Sequence, residues 1–111
     1  MDPVELGLAR GKALEILKAH LDRERPVGEE SLGAYMVEEL LLTWLARLGH
    51  PMLRSQLNGS VMTYLKDGGL VVYKSCQPAG PKGPTLLAWR ITHDGLQVLE
   101  GTKADAGVRV V

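Results

Sequence analysis

Apolar residues at Val4, Leu8, Leu14, Leu17 and Leu21 recur at steps of three, four and six residues, the spacing of one helical face. With Asp2 and Pro3 as cap and first turn, this spacing predicts a first helix from Val4 to about Arg23. The polar stretch DRERPVGEE ends the pattern, because Pro26 disfavours helix at Arg25 and Gly28 loosens the chain. It reads as a linker. Ser31 is a good N-cap, and Leu32, Tyr35, Met36, Leu40, Thr43, Trp44, Ala46 and Leu48 then predict a second, strongly apolar helix that Gly49 closes. After the tight connection HPML, a third helix places Leu53, Leu57, Val61, Met62 and Leu65 on one face. Asn58 and Gly59 near its middle are poor helix formers, the glycine by up to ~1 kcal/mol against alanine, so a kink or a break is expected there.

Gly68 and Gly69 stop that helix, and the β-branched run LVVYKS begins at once. A Gly/Pro loop, QPAGPKGP, leads to a second strand, TLLAWRIT. Thr92 caps a short helix over HDGLQVLE, and Gly101 ends it. The tail TKADAGVRVV shows no periodicity, and its VRVV is open to pairing as an edge strand or to fraying. The expected fold is mainly α with a small β-hairpin, an α+β domain of order α-α-α-β-β-α. It comprises an N-terminal helix over 1–25, a core over 31–101 and a tail over 102–111.

Length and composition fit that picture: 111 residues with 45% hydrophobic and 23% charged make one domain with a modest core. The lone Cys76 forms no internal disulfide and no CxxC pair, which suits a reducing compartment. The acidic N-terminus is unlike a signal peptide, and no apolar run approaches the ~18 residues needed to span a bilayer, so a cytoplasmic protein without a membrane partner is expected. His20, His50 and His93 are isolated, and neither HExxH nor a phosphate-loop pattern occurs. No catalytic residue, metal site, cofactor or small-molecule effector is therefore expected. Trp44 and Trp89 lie in apolar runs and read as core.

The element order resembles the winged-helix version of the helix-turn-helix fold. YLKDGGLV looks like the end of a recognition helix and the start of the wing, and WRITHDGLQVLEG looks like the segment that closes the wing. With LARLGHPMLRSQL and EGTKADAGV, the pattern is similar to small winged-helix proteins of Mu-like prophages, over roughly residues 40 to 108. The resemblance implies a third helix in the DNA major groove, a wing on the flanking backbone and a role in prophage transcription.

Charge is distributed in keeping with that expectation. The formal net charge is zero, yet residues 50–92 hold five basic residues and one acidic, a net of +4. Arg54, Ser55, Gln56, Asn58, Ser60, Thr63 and Lys66 on the third helix are candidates for base edges and phosphates, with Lys74, Lys82 and Arg90 of the hairpin as phosphate contacts. So few cations suit a protein that doubles them by pairing. If the first helix stands outside the core, Val4, Leu8, Leu14, Leu17 and Leu21 form an apolar stripe for a homodimer; the other reading packs it within one chain. The alternative function is an adaptor of a phage or host assembly that uses the same fold to bind protein rather than DNA.

Overall fold

Helix α1, Pro3–Glu24, opens where expected, with the Asp2 carboxylate accepting the Glu5 N–H at 2.8 Å. The computed structural model describes residues 2–24, 34–77 and 79–110. Residues 25–33, with the Ser31 cap, Leu32 and most of the predicted linker, lie outside them. Ala9, Ala13, Leu14 and Leu17 of α1 are buried in the core cluster. The stripe expected on an outer surface is thus largely interior: Leu8 and Leu21 are half-buried, and only Val4, 48% exposed, faces water. The reason is enclosure. Helix α1 touches the second helix, the third helical run, the hairpin and the C-terminal helix.

The second helix is shorter than predicted. Tyr35 and Met36 are not helical; Met36–Val37 form strand β1, and helix α2 is Glu38–Arg47. Met36 pairs with Trp89 and Val37 with Ala88, so tertiary strand pairing overrides the helical periodicity there. Among the described residues the order becomes α-β-α-α-β-β-α, with one more strand than expected. After α2, the predicted third helix is one helical run in three parts: α3 (Arg54–Gln56), a π-helical turn (Leu57–Met62) and α4 (Thr63–Asp67). The irregularity falls on Asn58 and Gly59, as their poor propensity suggests. The wider turn brings Leu57, Val61 and Met62 all into the core and leaves the Asn58 carbonyl to accept both the Thr63 N–H and its hydroxyl.

The run ends at Asp67, and the carbonyl of Leu65, in its last turn, accepts the Leu70 N–H at 2.9 Å. Gly69, at φ +74°, takes the left-handed conformation that the reversal needs, whereas Gly68 at φ −80° does not. Strands β2 (Val71–Cys76) and β3 (Leu86–Ile91) form the hairpin, and β3 sits between β1 and β2 in a three-stranded antiparallel sheet. Val71, Trp89, Ile91 and Met36 turn one face of it to the core. Thr92 then caps helix α5, His93–Glu100, accepting the Gly95 N–H at 3.2 Å while its hydroxyl donates to the Gly69 carbonyl. Among the described residues, no helix is long and apolar enough to cross a membrane.

The tail, left open between edge strand and frayed end, is a strap. Arg109 donates its N–H to the Gly7 carbonyl at 3.0 Å, Val108 is buried, and the Arg109 carbonyl lies 2.0 Å from where a Cβ on Gly11 would sit. Two glycines one helical turn apart let backbone pack directly on α1. Arg10 fastens the strap to the third run: its guanidinium donates to the Gly107 carbonyl at 3.1 Å and to the Ser60 carbonyl at 2.8 and 3.1 Å, and lies 3.7 Å over the Tyr64 ring. Tyr64 in turn donates to Asp105 at 2.6 Å. Desolvation holds the Arg10 pKa below its ordinary value, and the Asp105 hydrogen bond holds the Tyr64 phenol above its own.

Gly11→Ala should destabilise the chain by about 1–3 kcal/mol in urea unfolding, because displacing the strap outweighs alanine's ~1 kcal/mol helical advantage. Gly59→Ala, with nothing within 4 Å of a new Cβ, is the control and should be neutral or slightly stabilising. Because the folded-state pKa of Tyr64 is raised, its contribution is complete below the ordinary tyrosine value near ~10 and is lost as pH rises through the folded one. Tyr64→Phe should cost about 1 kcal/mol at neutral pH and remove that part of the alkaline loss of stability.

Candidate nucleic-acid interface

The ten residues picked from the sequence fall on three surfaces. Ser55, Gln56, Ser60, Thr63 and Lys66 are exposed along one edge of the helical run, which shows water what Leu57, Val61, Met62 and Leu65 do not. Lys74 and Arg90 lie on the sheet face turned away from the core: Lys74 pairs with Ala88, and Arg90 pairs with Val72. Their charged groups lie 5.0 and 5.7 Å from the Tyr35 ring centre. Lys82 is exposed at the hairpin tip, where turns from Gln77 to Gly80 and from Gly80 to Gly83 shape the loop; Pro78 lies outside the described residues.

Arg54 departs most from its expected role. Its Nε lies 3.0 Å from the Glu38 carboxylate and its Nη2 2.7 Å from that of Glu39, so two acids at the start of α2 clamp the start of the third run. The two partners differ in kind. The Glu38 side chain is 6% exposed, so it needs the guanidinium to be tolerated inside, whereas Glu39, 60% exposed, gains little from it. The acids stand in the first turn of α2, where the helix dipole favours negative charge. Arg54 is thus neutralised within the chain and contributes less positive field than a residue count suggests.

Several other candidates also carry structural duties. The Gln56 side chain accepts the Leu53 N–H at 2.9 Å, tying the start of α3. Asn58 is half-buried, and its side-chain oxygen has no hydrogen-bond partner. Thr63 spends its hydroxyl on the Asn58 carbonyl, so its side chain braces the π turn. Lys66 has its ammonium 5.7 Å from the Tyr73 ring centre and 4.0 Å from Asp67, contacts weak enough to leave it available to an anion. Tyr73 in turn packs on Trp89 with ring centres 5.3 Å apart, so Lys66 lies where the run meets the hairpin.

Sequence reading missed the acidic pair on α2 and the Arg10 contact to Ser60. The first had a signal, two adjacent glutamates before an apolar helix; the second depends on a carbonyl that only the folded π turn offers. Among the described residues, no three of His, Cys, Asp and Glu gather as a metal site. In comparisons with known proteins, no family model, curated protein or solved structure matched the chain.

Arg54→Ala should destabilise the fold by about 1–3 kcal/mol, because it leaves the Glu38 carboxylate buried without its cation; the half-exposed arginine keeps the cost below that of a fully buried pair. Glu39→Gln should change stability by less than about 0.5 kcal/mol in the same urea titration.

Proposed function

We propose that the chain is a winged helix-turn-helix protein that binds double-stranded DNA, with the third helical run as the reading element and the β2–β3 hairpin as the wing. One observation carries the reading: a continuous exposed polar edge from Ser55 through Ser60 and Thr63 to Lys66, in the part of the chain that holds the net positive charge. The short connection from α2, and the hairpin that follows Gly69 directly, support a helix-turn-helix with a wing. A part in prophage transcription is what the resemblance of YLKDGGLV and WRITHDGLQVLEG to prophage winged-helix proteins adds.

With Arg54 clamped, affinity rests on few phosphate contacts, chiefly Lys66 and Lys82. Nonspecific dissociation constants should fall in the ~1–100 μM range at physiological salt, and tighten only with a shallow slope as salt is lowered. A second reading, a protein-interaction adaptor, is favoured by Leu53, which is 70% exposed at the start of the run beside the acid-clamped Arg54.

The two readings separate in a fluorescence anisotropy titration with duplex DNA at low salt. On the DNA reading, Lys82→Ala and Lys66→Ala each weaken binding evenly across sequences and each reduce the log–log salt slope by about one per chain, while Leu53→Ser leaves binding intact. Absence of binding by the folded protein at low salt would leave the adaptor reading standing alone.

A further inference from the structure

One edge of α1 remains outside the core and clear of the strap. Glu15, Ala19 and Arg23 follow one another at steps of four along it, so they share a line on the helix surface. Ala19 is exposed, and two hollows flank it. One, of about 220 Å³, is apolar and walled by Ile16, Met36, Trp44 and Leu48; the other, of about 280 Å³, is lined by Lys18, Asp22 and Glu100 as well as Leu99 and Val110. Leu48 stands at the rim of the first, 47% exposed.

We propose that this edge docks a second copy of the same chain, α1 against α1 in antiparallel register about a two-fold axis at Ala19. Glu15 and Arg23 are self-complementary for that arrangement and for no parallel one, while Lys18 and Asp22 beside them pair with each other within one chain at 2.8 Å. Glu15 and Arg23 stand four residues, roughly 6 Å, on either side of Ala19, so a two-fold axis there sets Glu15 of each copy against Arg23 of the other. In a parallel pairing, like charges meet. Ala19 carries nothing beyond a Cβ, which allows the helices to approach closely, and the apolar hollow on the Leu48 side receives the exposed Leu48 of the partner copy. Apolar burial supplies the affinity and the two ion pairs fix the register. Glu15 keeps its bond to Lys12, 2.9 Å away, since a carboxylate accepts from several donors at once. The interface uses neither Leu14 nor Leu17, and it is independent of whether DNA or a protein is the ligand of the third run.

Charge reversal tests this pairing on the full chain by sedimentation equilibrium. The wild-type protein should pass from monomer to dimer with concentration. Glu15→Arg alone and Arg23→Glu alone, which set like charges face to face twice, should each raise the dissociation constant about tenfold or more. The double variant should return to within about threefold of wild type, which also shows that the altered surface still folds. Independently, Ala19→Cys in a Cys76→Ser background should cross-link to a covalent dimer on oxidation, because equivalent positions meet only at the axis. The mass of one chain at every concentration up to about 1 mM, single reversals without effect, a double variant that fails to recover, or no cross-link would each overturn the proposal.

Discussion

The contact on which the rest of the structure depends is the backbone of the tail lying against the backbone of α1. It exists because Gly7 and Gly11 present no side chain, and the Arg109 carbonyl occupies the space a Cβ on Gly11 would need. With that face taken by the strap, and Ala9, Ala13, Leu14 and Leu17 taken by the core, the edge through Glu15, Ala19 and Arg23 is among the parts of α1 left to water or a partner. The strap also explains how a domain of this size tolerates a π turn in its third helical run. Arg10 reaches from α1 to the Ser60 carbonyl and to Gly107 at once, so the carbonyl is satisfied and the tail is held by the same guanidinium.

Electrostatics near the third run is decided by a local pair rather than by regional charge. Five basic residues against one acidic over residues 50–92 describe a positive region, yet Glu38 and Glu39, outside that window, fold against its first cation. Two further cations, Lys74 and Arg90, lie on the sheet face turned away from the core. What faces outward along the run is a polar edge with Lys66 near its end, joined to a hairpin tipped by Lys82. On the proposed DNA reading, such a surface would position the protein by few phosphate contacts, and pairing of two chains would double them.

Legibility in the sequence followed the range of the interaction. The Asp2 cap, the stop at Gly69 and the Thr92 and Gly101 ends of α5 are local, and each was readable from its own few residues. The irregular middle of the third run was readable as a weakness at Asn58 and Gly59, though not as a π turn, because its form depends on bringing Leu57, Val61 and Met62 together into one core. Tyr35 and Met36 have helical spacing, while the pairing that makes Met36 a strand residue comes from Trp89, more than fifty residues away.

By itself, the sequence determined the helices in outline, the hairpin and its Gly/Pro loop, and the amphipathic split of the third run, since periodicity and caps act over a single turn or strand. Tertiary structure alone decided four things: that Met36 and Val37 form a strand, that α1 is enclosed rather than free, that Arg54 serves Glu38, and that the tail is a strap. Each of these joins residues that are neighbours only after the chain has folded. Local pattern carries a side chain's chemistry, but the neighbour that uses it is supplied by the fold.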